Sequence, residues 1–307
     1  MGTGKGRTIL TALIAAAVML TAAGAAAPQT PEPDVGEFPL WLLEEPAERG
    51  ELVPLDYESA TGKGTPAQAW AYVPYGYDPA ERYDVLFLWP GTRGGGKIVF
   101  QTEHKCRMED KQRELLTGAQ VLDRLIEEQK IRPLIVICAE EITHGKLSIA
   151  RKDFQTVWEL AAERFSLYTA DECLSPEERR EHAAFLGFSQ GAVYTQTLAM
   201  ADHFGDMAHF AAVCYGSRST TGARAVNDSD LPLETVYFLV GNEQDGGADS
   251  GRRAFRDIVW RCREKVTEGE NAFFRQSRYY GHNYALVLTA FVDMLPRAFP
   301  GEAAGEP

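Results

Sequence analysis

The chain has 307 residues, of which 45% are hydrophobic and 24% are charged, and its net charge is -13 at pH 7. These proportions are typical of a soluble globular protein with a substantial core. The acidic balance argues against nucleic acid as a partner, because phosphate backbones are bound by basic surfaces.

The first residues have the pattern of a secretory signal peptide. Lys5 and Arg7 precede an apolar run of Ala, Leu, Ile and Val, and small residues follow at 23–27. This order is typical of a cleaved export signal, although the run is nearly long enough for an uncleaved membrane anchor. We predict that residues 1–27 are removed, and that the protein is secreted or otherwise extracytoplasmic without stable membrane association.

The remaining chain is predicted to be one domain. Residues 28–39 are proline-rich and lack periodicity, which predicts an extended lead-in outside the core. No second linker and no repeat follow, so a single domain is expected over 40–298. The last residues, 299–307, are predicted to be disordered.

Short apolar runs alternate with longer amphipathic segments along this domain. The apolar runs predict strands over 51–59, 67–74, 84–90, 132–140, 182–188, 209–216, 234–241 and 271–280. The other segments predict helices over 117–130, 154–165, 190–203, 251–267 and 284–295. Thr117 is a candidate N-cap, and a helix start with capping-box form is expected at Ser175. This alternation predicts an α/β fold with a doubly wound, mostly parallel sheet flanked by helices. In such sheets, ligands bind at the C-terminal ends of the strands.

One serine stands between two glycines at the end of an apolar run, in the segment FLGFSQGAV at 185–193. A sharp turn from strand to helix would expose the Ser189 hydroxyl above the sheet. Side chains at Gly187 and Gly191 would then collide with neighbouring backbone. The spacing predicts a nucleophile elbow, with a serine in an ordinary tight turn as the alternative. The amide of Gln190 would face the reaction centre and could bind an oxyanion.

A serine hydroxyl needs a base to take its proton, and the base needs an orienting acid. In this kind of fold the chain order is Ser, then Asp or Glu, then His. His282 stands after the last predicted strand, where this order requires the base. The loop after Gly241 offers Glu243, Asp245 and Asp249. We predict Asp245 as the acid, with Glu243 as the alternative.

A second oxyanion donor is expected from the loop after an early central strand. The segment LFLWPGTRGGG has four glycines in six positions after an apolar run. Pro90 has no N–H group, so the amide of Thr92 is the predicted donor and that of Arg93 the second choice. A flexible glycine loop is the alternative, and a phosphate-binding loop is disfavoured because no Gly-Lys-Ser/Thr follows.

The cysteines and histidines indicate no metal site, because their spacings along the chain match no known pattern of metal ligands. Cys138 and Cys214 lie in apolar runs and are predicted to be buried. Any disulfide would join two of the other three cysteines, which are Cys106, Cys173 and Cys262.

Four segments taken together resemble the esterase D-like family, the carbohydrate esterases that include feruloyl and acetylxylan esterases. They are, in order, AYVPYGYDPAERYDVLFLWPGTRGG, VLDRLIEEQKIRPLIVICAE, RREHAAFLGFSQGA and YYGHNY. The resemblance covers residues 50–298 and implies an α/β-hydrolase fold without a cofactor. It also implies cleavage of ester-linked acyl groups, with Ser189 as nucleophile, His282 as base and the acid in the loop 243–245.

The chain departs from the family pattern in three places. Pro90-Gly91 stands where the family usually has His-Gly. Gln190-Gly191-Ala192 follows the serine, where the family commonly has Met-Gly-Gly. The acid follows Gly241 by four residues or by two, where most members have three. These departures leave the shape of the oxyanion loop and the choice of acid open.

The predicted activity is hydrolysis of feruloyl, acetyl or similar acyl esters, through an acyl-enzyme. The predicted partner is a small-molecule or polysaccharide-linked ester, with no cofactor and no metal. Acyltransferases of the mycolyltransferase type share the fold and the three side chains, and so remain an alternative function. A catalytically inactive carbohydrate-binding relative is a further alternative.

Overall fold

Strands and helices alternate along the residues that the structure describes, which are 35–305 without 93 and 141–145. The strands of this computed structural model are β1 (Glu37–Phe38), β2 (Glu51–Ser59), β3 (Thr65–Val73), β4 (Asp84–Trp89), β5 (His104–Met108), β6 (Arg113–Leu116), β7 (Leu134–Ala139), β8 (Ala183–Phe188), β9 (His209–Val213), β10 (Thr235–Val240) and β11 (Ala272–Gln276).

The helices of the described residues are α1 (Gly96–Gln101), α2 (Gly118–Glu127), α3 (Leu147–Arg164), α4 (Pro176–Arg180), α5 (Gln190–Tyr194), α6 (Met200–Asp202), α7 (Thr221–Asp228), α8 (Ala248–Arg261) and α9 (Ala285–Ala298). A π-helical turn over Thr195–Ala199 joins α5 to α6. The predicted cap and capping box are confirmed at Thr117 and Ser175, whose side chains accept from the amides of Gln120 and Glu178.

Eight strands form the main sheet, in the order β11-β10-β9-β8-β4-β7-β3-β2. Each strand from β11 to β7 in this order pairs in parallel with the strand next to it. β3 pairs antiparallel with both β7 and β2. Every residue of β4, β7, β8, β9 and β10 is buried, as expected of parallel strands covered on both faces. The predicted doubly wound, mostly parallel sheet is confirmed.

Alternate side chains of the central strands contribute to two cores, one on each face of the sheet. Phe87 of β4 packs against Phe154 of α3, with ring centroids 5.3 Å apart. The next residue, Leu88, belongs to the other core, to which α2 and α9 also contribute. Because the strands from β4 to β10 are parallel, the loops that follow them all emerge at one edge of the sheet.

The proline-rich lead-in does not stay outside the core, so the predicted boundary at residue 40 is wrong. Glu37 and Phe38 form β1, which pairs with Arg107 and Met108 of β5 in a second sheet of order β1-β5-β6. Phe38 is only 1% exposed. β1 escaped prediction because two residues are too few for a periodicity, and β5 and β6, with five and four residues, were not predicted either. The earlier part of the predicted lead-in, 28–34, lies outside the described residues.

The C-terminal tail is also ordered up to residue 305, which corrects the prediction of disorder from 299. Phe299 is buried, and Glu302–Gly305 forms a 3₁₀ turn. The amides of Gly301 and Ala303 donate to the carbonyls of Lys130 and Gln129. These backbone bonds hold the tail against the end of α2, and backbone bonding leaves no mark in the side-chain pattern.

All five cysteines are free thiols, so none of the disulfides considered from the sequence is formed. Cys138 and Cys214 are buried, as predicted. Cys106 and Cys262 belong to different cores on opposite faces of the sheet, and Cys173 is exposed. The sheet therefore separates Cys106 from Cys262.

No helix among the described residues combines the length and the hydropathy that crossing a bilayer requires. The predicted signal peptide, residues 1–27, lies outside the described residues.

Replacement of Phe38 by Ala should lower the free energy of unfolding by about 3–5 kcal/mol, because it empties a buried aromatic site. Urea denaturation measures the change. Leu40→Ala is the matched control, because Leu40 is 40% exposed, and it should cost less than about 1 kcal/mol. Equal, small losses in both variants would show that the lead-in is not part of the core.

Candidate active site

The chain turns sharply at Ser189, between β8 and α5. Ser189 has φ 57° and ψ −113°, a conformation that costs energy for any residue with a side chain. A Cβ atom at Gly187 would lie 2.1 Å from the carbonyl oxygen of Gly191, and one at Gly191 would lie 1.9 Å from that of Trp89. Both distances are far below van der Waals contact, so the close approach of backbone explains both glycines. The turn has the geometry predicted for an elbow.

The loop after β4 packs directly against this turn. The amide of Gly191 donates to the carbonyl of Pro90 at 3.1 Å, and a Cβ at Gly91 would lie 3.0 Å from the Cβ of Ser189. Pro90 therefore contributes its carbonyl oxygen, and its missing N–H group is not needed for this contact. The departure from the His-Gly pattern is compatible with the close approach of the two loops.

Ser189, His282 and Asp245 form a continuous line of hydrogen bonds. Nε2 of His282 lies 2.7 Å from Oγ of Ser189, and Nδ1 of His282 lies 2.9 Å from Oδ1 of Asp245. The side chain of Asp245 is fully buried, whereas that of His282 is 37% exposed. The three residues follow β8, β10 and β11, whose loops emerge at the same edge of the sheet. The structure thus brings together the three side chains that the sequence singled out.

Backbone amides hold the Asp245 carboxylate in place. Gly241 donates to Oδ2 at 2.7 Å and Gly247 donates to Oδ1 at 3.0 Å. Burial alone would raise the pKa of Asp245, but the hydrogen bonds from His282, Gly241 and Gly247 together lower it below its usual value. The carboxylate is therefore ionised at neutral pH. Glu243, the alternative acid, is exposed in the turn before Asp245.

The second, smaller sheet is hydrogen-bonded to the segment that contains His282. The hydroxyl of Tyr280 donates to the carbonyl of Gly36 at 2.8 Å and accepts from the amide of Arg107 at 2.6 Å. Gly36 and Arg107 belong to the two chain segments that pair as β1 and β5. Because Tyr280 is two residues before His282, this sheet restrains the backbone on which the imidazole depends.

A cleft of about 590 Å³ opens beside the Ser189 hydroxyl. Thr92 and Gln190, the two predicted oxyanion donors, both line it. Gln190 is the first residue of α5, so its amide has no partner within the helix and is available to a ligand. Arg93, the second choice of donor, lies outside the described residues. The cleft is also lined by Val193, by residues 215–218 and by Ser250.

The loop after β9, which forms one wall of this cleft, was not identified from the sequence. The hydroxyl of Ser250 donates to the carbonyl of Gly216 at 2.7 Å, and the amide of Ser217 donates to the buried side chain of Gln196 at 2.8 Å. A Cβ at Gly216 would lie 2.5 Å from that of Ala254. One indication of this wall was present in the sequence: the loop follows the C-terminal end of a buried strand, where ligands bind in such sheets.

Tyr284 is a further part of the site that was not identified from the sequence. Its hydroxyl makes a hydrogen bond with the backbone of Gly91, and a Cβ at Gly94 would lie 2.6 Å from that hydroxyl. Its ring packs on Phe188, with centroids 4.5 Å apart. Tyr284 thereby couples the glycine-rich loop to the segment of His282. The motif YYGHNY contains this tyrosine, but nothing in its spacing indicates the contact.

A metal ion is a poor fit to this site. Among the described residues, one group has the proximity of metal ligands: Cys214, Asp245 and His282, with ligand atoms within 4.8 Å of one another. Burial raises the pKa of the Cys214 thiol well above its usual value, and a thiol binds metal ions as the thiolate. Asp245 and His282 already bond to each other, so the group is better described as a hydrogen-bonded site.

No protein-family model matches the chain. Among curated proteins, the chain is similar to endo-1,4-beta-xylanase Y of Acetivibrio thermocellus, with 24% identity over 204 residues. The alignment covers 61% of this chain and 17% of the xylanase, so the chain spans less than a fifth of that relative's length.

Several solved structures share the fold. The feruloyl esterase module from Clostridium thermocellum has a TM-score of 0.67 at 19% identity, covering 89% of this chain and 96% of that one. The ferulic acid esterase from Anaeromyces mucronatus has a TM-score of 0.59 at 14% identity, covering 84% and 93%. The enterobactin esterase from Shigella flexneri has a TM-score of 0.55 at 13% identity, covering 83% and 60%. The fold is that of the α/β-hydrolases. The resemblance noted in the sequence is thus confirmed at the level of the fold.

Replacement of Gly191 by Ala should destabilise the protein by about 3 kcal/mol or more, because the new methyl group would overlap the carbonyl of Trp89. Urea denaturation measures this change. Gly205→Ala is the matched control, since no atom lies within 4 Å of its added Cβ, and it should change the stability by less than about 0.5 kcal/mol. A Gly191→Ala protein as stable as the control would contradict the close approach.

The contribution of Asp245 to stability should depend on pH. Its folded-state pKa is lowered, so the contribution is fully present above the unfolded-state pKa of about 3.9 and is lost as pH falls through the folded-state pKa. The difference in unfolding free energy between wild type and Asp245→Asn should therefore be largest at neutral pH and shrink below about pH 4. Urea denaturation between pH 7 and pH 3 tests this. A constant difference over the whole range would argue against the lowered pKa.

Proposed function

We propose that the protein is a secreted serine esterase that hydrolyses feruloyl, acetyl or similar acyl esters attached to carbohydrate. The observation that carries the proposal is the line of hydrogen bonds from Ser189 through His282 to Asp245, beside a cleft of substrate size. The likeness to feruloyl esterases, and to a protein named for xylan cleavage, supports the substrate class. The basic, apolar and small-residue order of residues 1–27 supports secretion.

In the first half of the reaction, Oγ of Ser189 attacks the carbonyl carbon of the ester. Nε2 of His282 takes the hydroxyl proton, and Asp245 stabilises the imidazolium through the proton on Nδ1. The negative charge that develops on the carbonyl oxygen is bound by the amides of Gln190 and Thr92. The tetrahedral intermediate then collapses. The C–O bond to the alcohol breaks, His282 gives its proton to the leaving oxygen, and Ser189 carries the acyl group.

In the second half, water replaces the alcohol. His282 takes a proton from the water molecule as its oxygen attacks the acyl carbonyl, and the same two amides hold the oxyanion. Collapse of this intermediate breaks the bond to Ser189 Oγ, which recovers the proton from His282, and releases the carboxylic acid. The enzyme returns to its starting state, so no cofactor is consumed.

The position of the cleft favours the acyl group as its occupant. Thr92 and Gln190 line the cleft beside Ser189, and these are the residues proposed to hold the carbonyl oxygen. Val193 and the partly exposed ring of Tyr215 provide apolar surface for an aromatic or short aliphatic acyl chain. The alcohol would then leave on the His282 side, where it receives its proton.

Ser189→Ala and His282→Ala should each reduce kcat by about 10⁴ or more, because each removes a partner of the proposed proton transfer. The measurement is hydrolysis of a panel of acetyl, feruloyl and short-chain nitrophenyl esters. Glu243→Gln is the matched control for Asp245→Asn. The first should leave kcat nearly unchanged, whereas the second should reduce it by about 10⁴ because it imposes the wrong histidine tautomer.

Labelling with a fluorophosphonate tests the same proposal without a choice of substrate. Wild type should be labelled at Ser189 and Ser189→Ala should not. A wild-type protein that resists labelling and hydrolyses no ester would identify an inactive relative. Turnover that requires glycerol or trehalose as acceptor would identify an acyltransferase.

A further inference from the structure

An exposed tryptophan lies on α8, away from the residues that line the Ser189 cleft. Trp260 is 64% exposed, more than any other large hydrophobic residue that the structure describes. It stands between two shallow grooves of about 520 and 360 Å³. Phe255 and Phe274 contribute apolar surface to the larger groove.

Arginine side chains surround this ring. The two grooves are lined by Arg224, Arg252, Arg256, Arg261 and Arg263, and the carboxylates lining them are Asp228 and Glu268. We call Trp260 and these five arginines the Trp260 surface. The excess of positive charge contrasts with the net charge of -13 of the whole chain. Clustered like charges repel each other, and an anionic partner removes that repulsion.

The arginines are placed to receive a ligand. Arg256 and Arg263 are exposed, and neither forms an ion pair with a carboxylate among the described residues. The guanidinium of Arg261 lies 5.5 Å from the centre of the Trp260 ring. Guanidinium groups can bind carboxylates through two parallel hydrogen bonds, which a lysine cannot do.

The Trp260 surface and the cleft both include residues of α8. Arg252, Arg256 and Trp260 are spaced four residues apart and so share one face of the helix. Ser250, near the start of the same helix, lines the cleft beside Ser189. At 1.5 Å per residue, Trp260 is about 15 Å further along the helix than Ser250. A ligand that reached both places would have to span this distance and pass about a quarter of a turn around the helix.

We propose that the Trp260 surface binds a polysaccharide chain that carries uronate carboxylates. The flat ring of Trp260 offers rigid area for the C–H face of a pyranose, and the surrounding arginines pair with the carboxylates. An acidic peptide would satisfy the arginines but has no regular flat face for the indole. Binding at this surface goes beyond the proposed hydrolysis and does not depend on it. Only the delivery of an ester from the bound chain to Ser189 rests on the proposed function.

Binding is tested in a Ser189→Ala host, in which no turnover changes the ligand. Calorimetry measures binding to glucuronoxylan and to the same polymer after chemical reduction of its carboxyl groups. We expect the parent polymer to bind about tenfold more tightly than the reduced one, with an affinity that falls as salt rises. Adding Trp260→Ala should weaken binding to the parent polymer about tenfold, and adding Arg256→Gln with Arg263→Gln should weaken both the binding and its salt dependence.

Two matched variants control for general effects of charge and of exposed aromatic area. Arg253→Gln removes an arginine of α8 that does not line the grooves; its partner Asp249, at 3.9 Å, keeps a closer pair with Arg252 at 3.3 Å. Tyr75→Ala removes a ring that is 62% exposed elsewhere. Both should bind like the host. In the wild-type background, Trp260→Ala should hydrolyse nitrophenyl acetate at the unaltered rate, which separates this surface from the reaction site.

Equal binding of the two polymers, no binding by the host, or unchanged binding after Trp260→Ala would each overturn the proposal. A change from dimer to monomer on size-exclusion chromatography of Trp260→Ala would overturn it in favour of a contact with a second copy. If Trp260→Ala does not fold, the exposed double arginine variant decides the question. Because binding is measured without turnover, a failure of the esterase proposal would leave these results interpretable.

Discussion

The close approach of backbone around Ser189 is the constraint on which the site depends. Ser189 keeps its left-handed φ because β8, the start of α5 and the loop after β4 meet without intervening side chains. Gly187 and Gly191 make this contact possible, and the amide of Ser189 donates to the carbonyl of Val213 on the neighbouring strand. The strain at one residue is therefore offset by backbone bonds and by the packing of a whole sheet. The exposed hydroxyl is a consequence of this arrangement.

The remaining parts of the site depend on the parallel order of the sheet. Because β8, β10 and β11 run in the same direction, the residues that follow them reach one edge, although 93 positions separate Ser189 from His282. The smaller sheet then restrains the last of these segments through Tyr280. A chain segment that seemed peripheral, around Phe38, is in this way linked to the placement of the imidazole. Preorganisation of this kind lets hydrogen-bond donors meet developing charge without rearrangement.

The α8 helix connects the two ligand-binding regions that we propose. Its first turn contributes Ser250 to the cleft, and its last turn presents Trp260 among arginines. The positive charge of that surface is local, since the chain as a whole is acidic. An acidic protein with one cationic, aromatic surface would be repelled by polyanions over most of its area and attracted at one place. Such a distribution favours one orientation on a charged glycan.

Local patterns in the sequence determined the parts of the structure that depend on neighbouring residues. Buried strands such as 134–139 are continuous apolar runs, the cap at Thr117 is a local hydrogen bond, and the glycines at 187 and 191 report a turn of five residues. The order of serine, acid and histidine along the chain was enough to select Ser189 and His282 as candidates. Apolar periodicity and steric limits act over a few residues, so a sequence read locally reveals them.

Tertiary structure alone decided the contacts made between distant segments. Asp245 and Glu243 are equivalent by chain order, and only the amides of Gly241 and Gly247 with the ring of His282 distinguish the buried carboxylate from the exposed one. The pairing of β1 with β5 and the bonds from Gly301 to Lys130 are backbone contacts that leave no side-chain pattern. The separation of Cys106 from Cys262 follows from the two faces of the sheet. In each case the deciding partner is far away in the chain, and only the folded sheet brings it close.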